Sequence, residues 1–196
     1  MAFSIAGIGS RSTPLGTLKD IEELTRRISK DPTIIIRTGG ATGADQSFMH
    51  GAKDGKLEIY LPWKDYEQDE IAKYIGKAQI MWNPTKEAYA LAEKVHPAWR
   101  FLKPGAYPLM ARNCHIILGN KLGEPVKLVL CFQHNCPTFK EDKFRLTDKT
   151  LREINQNRIR GGTLMGIRLA KKYGIPIINF WNTLVTEAES TILSLF

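Results

Sequence analysis

The chain of 196 residues carries 28 lysines and arginines against 20 aspartates and glutamates, a formal net charge of +8 at pH 7. That length fits one domain, or one domain with insertions, and the composition is that of an ordinary soluble protein. No apolar run approaches the roughly 18–20 residues that span a bilayer, and three cysteines without framework spacing exclude a disulfide scaffold and fit a reduced, cytoplasmic setting.

The excess positive charge favours anionic partners such as nucleic acid, nucleotides or acidic surfaces, although it is spread along the chain rather than gathered in one block. The first predicted element is a short apolar strand at 3–8. The first five residues have no basic leader and so read as strand, not signal peptide. The strand ends in Gly7-Ile8-Gly9-Ser10-Arg11. Ser10 and Ser12 can donate hydroxyls to a phosphate, and Arg11, in a strand-to-helix loop, can add a charge-assisted contact. A helix follows at about 15–29, with Leu18, Ile21, Leu24, Thr25 and Ile28 on its inner face.

The second strand, at 33–37, feeds Arg37-Thr38-Gly39-Gly40-Ala41-Thr42-Gly43-Ala44-Asp45 and a new helix. Glycines let backbone N–H groups approach an anion closely, and a helix N-terminus adds a positive dipole end. The spacing is neither the dinucleotide fingerprint nor a P-loop, so a ligand loop and a plain tight turn both remain open. Asp45 falls in the first turn of that helix, where an acid is favoured by the dipole; beside a phosphate it would address a ribose hydroxyl or a base donor.

A third strand at 57–61 ends at Pro62-Trp63, and its loop holds Lys64, Asp65, Tyr66, Glu67, Asp69 and Glu70. Helical patterns follow at about 67–78 and 85–93. Pro84, Pro97, Pro104 and Pro108 mark the region as helical and irregular rather than sheet. A helix at about 106–118 contains Ala111-Arg112-Asn113-Cys114-His115, of which Arg112 and Asn113 can complete a ligand shell. The fourth strand spans 125–132. The polar segment 133–160 is too long for an ordinary connection and reads as a surface insertion or as a lid. Gly161-Gly162-Thr163 then opens a helix at about 164–173, Gly174 stops it, a fifth strand runs at 175–180, and a helix at 183–195 closes the chain.

Strands alternating with helices predict an α/β, Rossmann-like, doubly wound and mainly parallel sheet with helices on both faces, here as one domain over 1–196. Three glycine turns then share the carboxyl edge, where open α/β sheets bind ligands. Cys131, His134 and Cys136, with Cys114 and His115, can be drawn as a zinc site. Cys131 in an apolar strand and Cys114 in a helix read better as buried thiols, and no metal or cofactor is expected.

Taken together, Ile8-Gly9-Ser10-Arg11, the Thr38–Asp45 stretch, Ala111-Arg112-Asn113 and Gly161-Gly162-Thr163 resemble the SLOG superfamily in order and over nearly the whole chain. That superfamily includes the Rossmann-like domain of the DNA-processing protein DprA/Smf, the YpsA-like proteins and the LOG phosphoribohydrolases. Ile167-Arg168-Leu169-Ala170 followed by Gly174-Ile175-Pro176 is similar to the YpsA-like pattern. The chain looks most like the small, stand-alone members often found in phage genomes.

The resemblance implies a nucleotide phosphate at Gly9, Ser10, Arg11, Thr38, Gly39, Gly40, Ala41, Gly43, Asp45, Arg112, Asn113, Gly161, Gly162 and Thr163. The expected function is binding of a nucleotide-derived small molecule or of single-stranded DNA, with no membrane partner and with self-association. The alternative is LOG-like N-glycosidase action on nucleoside 5′-monophosphates, which needs a carboxylate near the anomeric carbon. LOG enzymes carry a glutamate just after the second glycine motif, where this chain has Met165. Asp45 and then Glu67 are the substitute candidates for the catalytic acid.

Overall fold

The computed structural model describes residues 2–134, 147, 149, 161–181 and 183–194. In chain order the elements are β1 (Phe3–Gly9), α1 (Leu15–Ile28), β2 (Ile34–Thr38), α2 (Ala44–Gly51), β3 (Leu57–Leu61), α3 (Gln68–Ile71), β4 (Gln79–Trp82), α4 (Lys86–Val95) and α5 (Ala106–Leu118). Then come β5 (Leu128–Phe132), α6 (Thr163–Lys172), β6 (Ile177–Asn179) and α7 (Val185–Leu193). The strands form one sheet in the order β4-β3-β2-β1-β5-β6, and every pairing is parallel. This is the α/β, Rossmann-like, doubly wound architecture expected from the alternation.

Successive strand residues face opposite sides, and this builds two cores. Ile5, Ile34, Ile36, Ile59, Leu128 and Leu130 pack with α1, α2 and α7. Ala6, Ile8, Val129 and Cys131 pack with α4, α5 and α6. In α1 the buried residues are Ile21, Leu24, Thr25 and Ile28, the stripe its periodicity predicts; Leu18 is only partly buried. Cys114 and Cys131 are buried free thiols, and burial pushes the Cys114 thiol up to about 12. Among the described residues no helix is long and apolar enough to cross a membrane.

Two expectations for the middle of the chain are corrected. The predicted helix at 67–78 is a single α turn, α3, followed by a 3-10 turn at Ala72–Tyr74. Glu67 at φ 48° and Gly76 at φ 81° are left-handed and break the helix on either side. The region is not free of sheet either, because Gln79–Trp82 is the edge strand β4, paired with β3 from Glu58↔Gln79 to Leu61↔Trp82. Its four residues are exposed or half-buried, and its apolar stretch, Ile80-Met81-Trp82, is too short to mark a strand. The expected insertion or lid at 133–160 falls almost wholly outside the described residues.

Candidate functional site

The sheet reverses its winding between β1 and β5, so the turns after these strands diverge to opposite faces and leave a crevice. A cavity of about 260 Å³ opens there. Its walls come from Ile8, Gly9, Ser10 and Arg11 after β1, Ala41 and Asp45 at the start of α2, and Tyr66 after β3. Leu109, Met110, Arg112 and Asn113 of α5, Gln133 after β5, and Gly161, Gly162 and Thr163 at the start of α6 complete it. Four separate sequence motifs are thus brought to one place.

Asp45 is the hub. Its Oδ1 accepts from the Gly9 N–H at 3.0 Å. Its Oδ2 accepts from the Ala41 N–H at 3.4 Å and from Arg112 Nη1 at 3.2 Å. The pair is deeply buried, with side-chain exposures of 8% for Arg112 and 4% for Asp45. Burial pushes the Asp45 carboxyl upward, against the pull of Arg112 and of the Gly9 and Ala41 N–H groups. Arg112 also lies 6.0 Å from the centroid of the Tyr66 ring, within cation–π range. Its Nε is buried and has no hydrogen-bond partner.

At the mouth, Arg11 Nη2 donates to the Tyr66 hydroxyl at 3.1 Å and lies 3.7 Å from Glu67 Oε1. Glu67 Oε1 in turn accepts from Thr42 Oγ1 at 3.0 Å. Ser10 Oγ accepts from the Ser12 N–H at 3.1 Å and is 2.8 Å from Ser12 Oγ, an ST-turn that holds the loop ahead of α1. Asn113 Nδ2 donates to Gly162 O at 2.9 Å and ties α5 to the start of α6. Asn179, at the end of β6, pins Gln133 with paired 2.9 Å bonds.

The glycine turn after β2 packs closely against other parts of the chain. Thr38, Gly39, Gly40 and Gly43 are absent from the cavity wall. Thr38 Oγ1 donates to Asp45 O at 3.4 Å. A Cβ on Gly39 would sit 0.8 Å from Arg112 Nη1, so only a glycine leaves room for the guanidinium there. Gly40, at φ 73°, would direct a Cβ at Ile71 and Leu61 in the core. Gly43, at φ 97°, would meet Ser10 O at 2.7 Å. The Gly9 and Ala41 N–H groups, which could have cradled an anion, are taken by Asp45.

Of the two carboxylates singled out from sequence, Asp45 is enclosed by three donors, and Glu67, paired with Arg11, is not among the residues that wall the cavity. Sequence reasoning assigned no role to Tyr66, Leu109, Met110 or Gln133. Only Tyr66 carried a signal, its place in the polar loop after β3.

A parallel six-stranded sheet with a crevice at its switch point defines a Rossmann-like α/β domain. No protein-family model and no curated protein matches the sequence. Two solved structures of DNA processing protein A do match in fold. The one from Helicobacter pylori, described for its single-stranded DNA binding mode, is 16% identical with a TM-score of 0.57, over 99% of this chain and 81% of that one. DprA from Streptococcus pneumoniae is 14% identical with a TM-score of 0.52. The match covers all of this chain, which spans 56% of the pneumococcal one.

Proposed function

We propose that this chain is a DprA-like member of the SLOG superfamily that binds single-stranded DNA, seating a backbone phosphate in the cavity at the switch point. Arg11, Ser10, Arg112, Asn113 and the N-terminus of α6 at Gly161–Thr163 supply the cationic and hydrogen-bonding wall. Asp45 acts as a positioning group, since Gly9, Ala41 and Arg112 hold both its oxygens.

The observation that carries this reading is where the net charge lies. A second cavity, of about 470 Å³, shares Met110, Gly161 and Gly162 with the first. Every described residue of its wall belongs to 94–123 or 161–181. Those two stretches hold eight lysines and arginines and no acid, and the rest of the chain holds 20 of each sign. Of these eight, Arg112 lies on the wall of the first cavity and Arg168 on that of the second, and Arg11 adds a further cation to the first. Phe101, 89% exposed, stands on the same wall and offers a ring on which a base can stack. Guanidiniums spread over two adjoining cavities suit successive phosphates of a single strand better than the one phosphate of a mononucleotide.

The test is fluorescence anisotropy with a labelled oligothymidylate across a salt series. Binding is expected to weaken with a log–log slope of about −0.7 per neutralised phosphate. Absence of binding at low salt, with nucleoside monophosphates still bound by calorimetry, would replace this reading with that of a small-nucleotide site.

A further inference from the structure

Three tryptophans lie at the carboxyl edge of the sheet, each 38% exposed: Trp63 just after β3, Trp82 at the end of β4 and Trp181 just after β6. Their surroundings separate them. Trp82 is on the outermost strand, three places from β1. Trp63 opens the loop that carries Asp65, Glu67, Asp69 and Glu70, a field that repels a polyanion. Its edge-on contact with Tyr66, at 5.1 Å between ring centroids, does not change that sign. Trp181 instead ends the acid-free stretch 161–181.

Trp181 is also joined to the switch-point cavity by one side chain. Asn179 is fully buried, and its Oδ1 accepts from the Gln133 N–H at 2.9 Å and from the Trp181 N–H at 3.3 Å. Its Nδ2 donates to Gln133 O at 2.9 Å. Gln133 is part of the cavity wall. The indole is held by two other rings, Phe132 at 6.2 Å and 80° and His134 at 3.9 Å and 46°. A ring fixed in this way loses little freedom when a ligand stacks on it. The sheet sets the distance. Its ladder puts Ile8, Cys131 and Asn179 in one row, and Trp181 follows Asn179 by two residues as Ser10 follows Ile8. Two strand spacings make roughly 10 Å between the ends of β1 and β6. A stacked strand rises roughly 3.4 Å per nucleotide, so about three nucleotides cover that distance.

We propose that Trp181 is a base-stacking platform, taking a nucleobase a few nucleotides away from the phosphate seated by Ser10 and Arg11. This rests on the DNA reading and extends that site to the end of β6. Asn179 is the positioning residue: it locks Trp181 to Gln133, so the platform and the phosphate site keep one spacing. Stacking uses the π-face that every base has, so the platform tolerates any sequence. It neutralises no phosphate, and so adds affinity without steepening the salt dependence.

The experiment follows intrinsic tryptophan fluorescence as unlabelled oligothymidylate is added at low salt, with the anisotropy of a labelled copy as the measure of binding. Quenching is expected in the parent protein and in Trp63→Phe. It should be lost in Trp181→Phe, which keeps a ring and should still bind. Trp181→Ala should weaken binding by roughly 5- to 150-fold, the range for one base–aromatic stack, with the salt slope unchanged. An abasic strand of the same length keeps the phosphates and should bind the parent and Trp181→Ala alike. Circular dichroism checks each fold, and Trp181→Phe decides alone if Trp181→Ala does not fold. Quenching that survives in Trp181→Phe, or parental affinity in folded Trp181→Ala, overturns the proposal and leaves the DNA reading standing. An equal loss with the abasic strand does the same. No anisotropy change for the parent protein at low salt sinks the DNA reading, and this proposal with it.

Discussion

Gly39→Ala should be among the most damaging single-methyl changes in this protein. The added Cβ would lie 0.8 Å from Arg112 Nη1 and 2.1 Å from its Cζ, whereas carbon contacts settle at about 3.5–4.0 Å. The guanidinium must therefore move by a distance of the order of its 3.2 Å contact with Asp45 Oδ2, and the pair breaks. With both partners buried, breaking the pair should cost about 3–5 kcal/mol. Backbone strain adds nothing, because Gly39 is not among the positive-φ glycines. Gly16→Ala is the matched control. Nothing lies within 4 Å of its Cβ, it sits inside α1, and it should stabilise by roughly 0.5–1 kcal/mol. Urea melts followed by circular dichroism measure both, and the double variant with Arg112→Ala should be no worse than either single change. A loss below about 1 kcal/mol for Gly39→Ala, or additive losses in the double variant, would refute the reasoning.

Arg11→Ala should leave stability within about 0.5 kcal/mol, because the side chain is 63% exposed, and should weaken oligonucleotide binding by about 1.5–3 kcal/mol at low salt. Unchanged anisotropy titrations would remove Arg11 from the site. Asp45→Asn removes the counter-charge of buried Arg112 and should cost about 3–5 kcal/mol; an unaltered melting curve would contradict its role as hub. Glu67→Gln tests the hydrolase alternative: if the protein releases free base from any nucleoside monophosphate, chromatography should show that release lost in this variant. Burial lowers the pKa of His115 below its usual 6.5. The unfolded chain therefore binds the extra proton first, and the His115 contribution to stability should be full above pH 6.5 and fall away as pH drops toward the folded-state value. A second N–H at Nε2 would face the Thr85 N–H. Melts from pH 7.5 to 5 should show a shallower decline for His115→Gln than for the parent protein, and equal slopes would count against this account.

The local pattern of the chain was enough for its architecture. Apolar runs such as 34–36 and 128–132 can only be strands covered on both faces, and the stripe of Ile21, Leu24, Thr25 and Ile28 can only be one side of a helix. Alternation of the two requires parallel crossovers, which puts the turns after β1 and β2 on one edge. The four-residue strand β4 escaped because its apolar stretch, Ile80-Met81-Trp82, is too short to show a period. The site was half legible. Chemistry-bearing residues such as Ser10, Arg11, Arg112 and Asn113 are identifiable by type and by their place beside turns. What a glycine makes room for is not, because that depends on which distant side chain arrives above it. Only the packing of α5 against β2 and β3 shows that Gly39 makes room for Arg112, and that Asp45 takes the N–H groups of two loops. The same holds for charge. Along the chain the positive residues look dispersed, and only folding brings residues of the two acid-free stretches, separated by residues 124–160, onto the walls of one cavity. Periodicity is a short-range property and so can be read from order alone; complementarity between distant residues exists only once the chain has closed on itself.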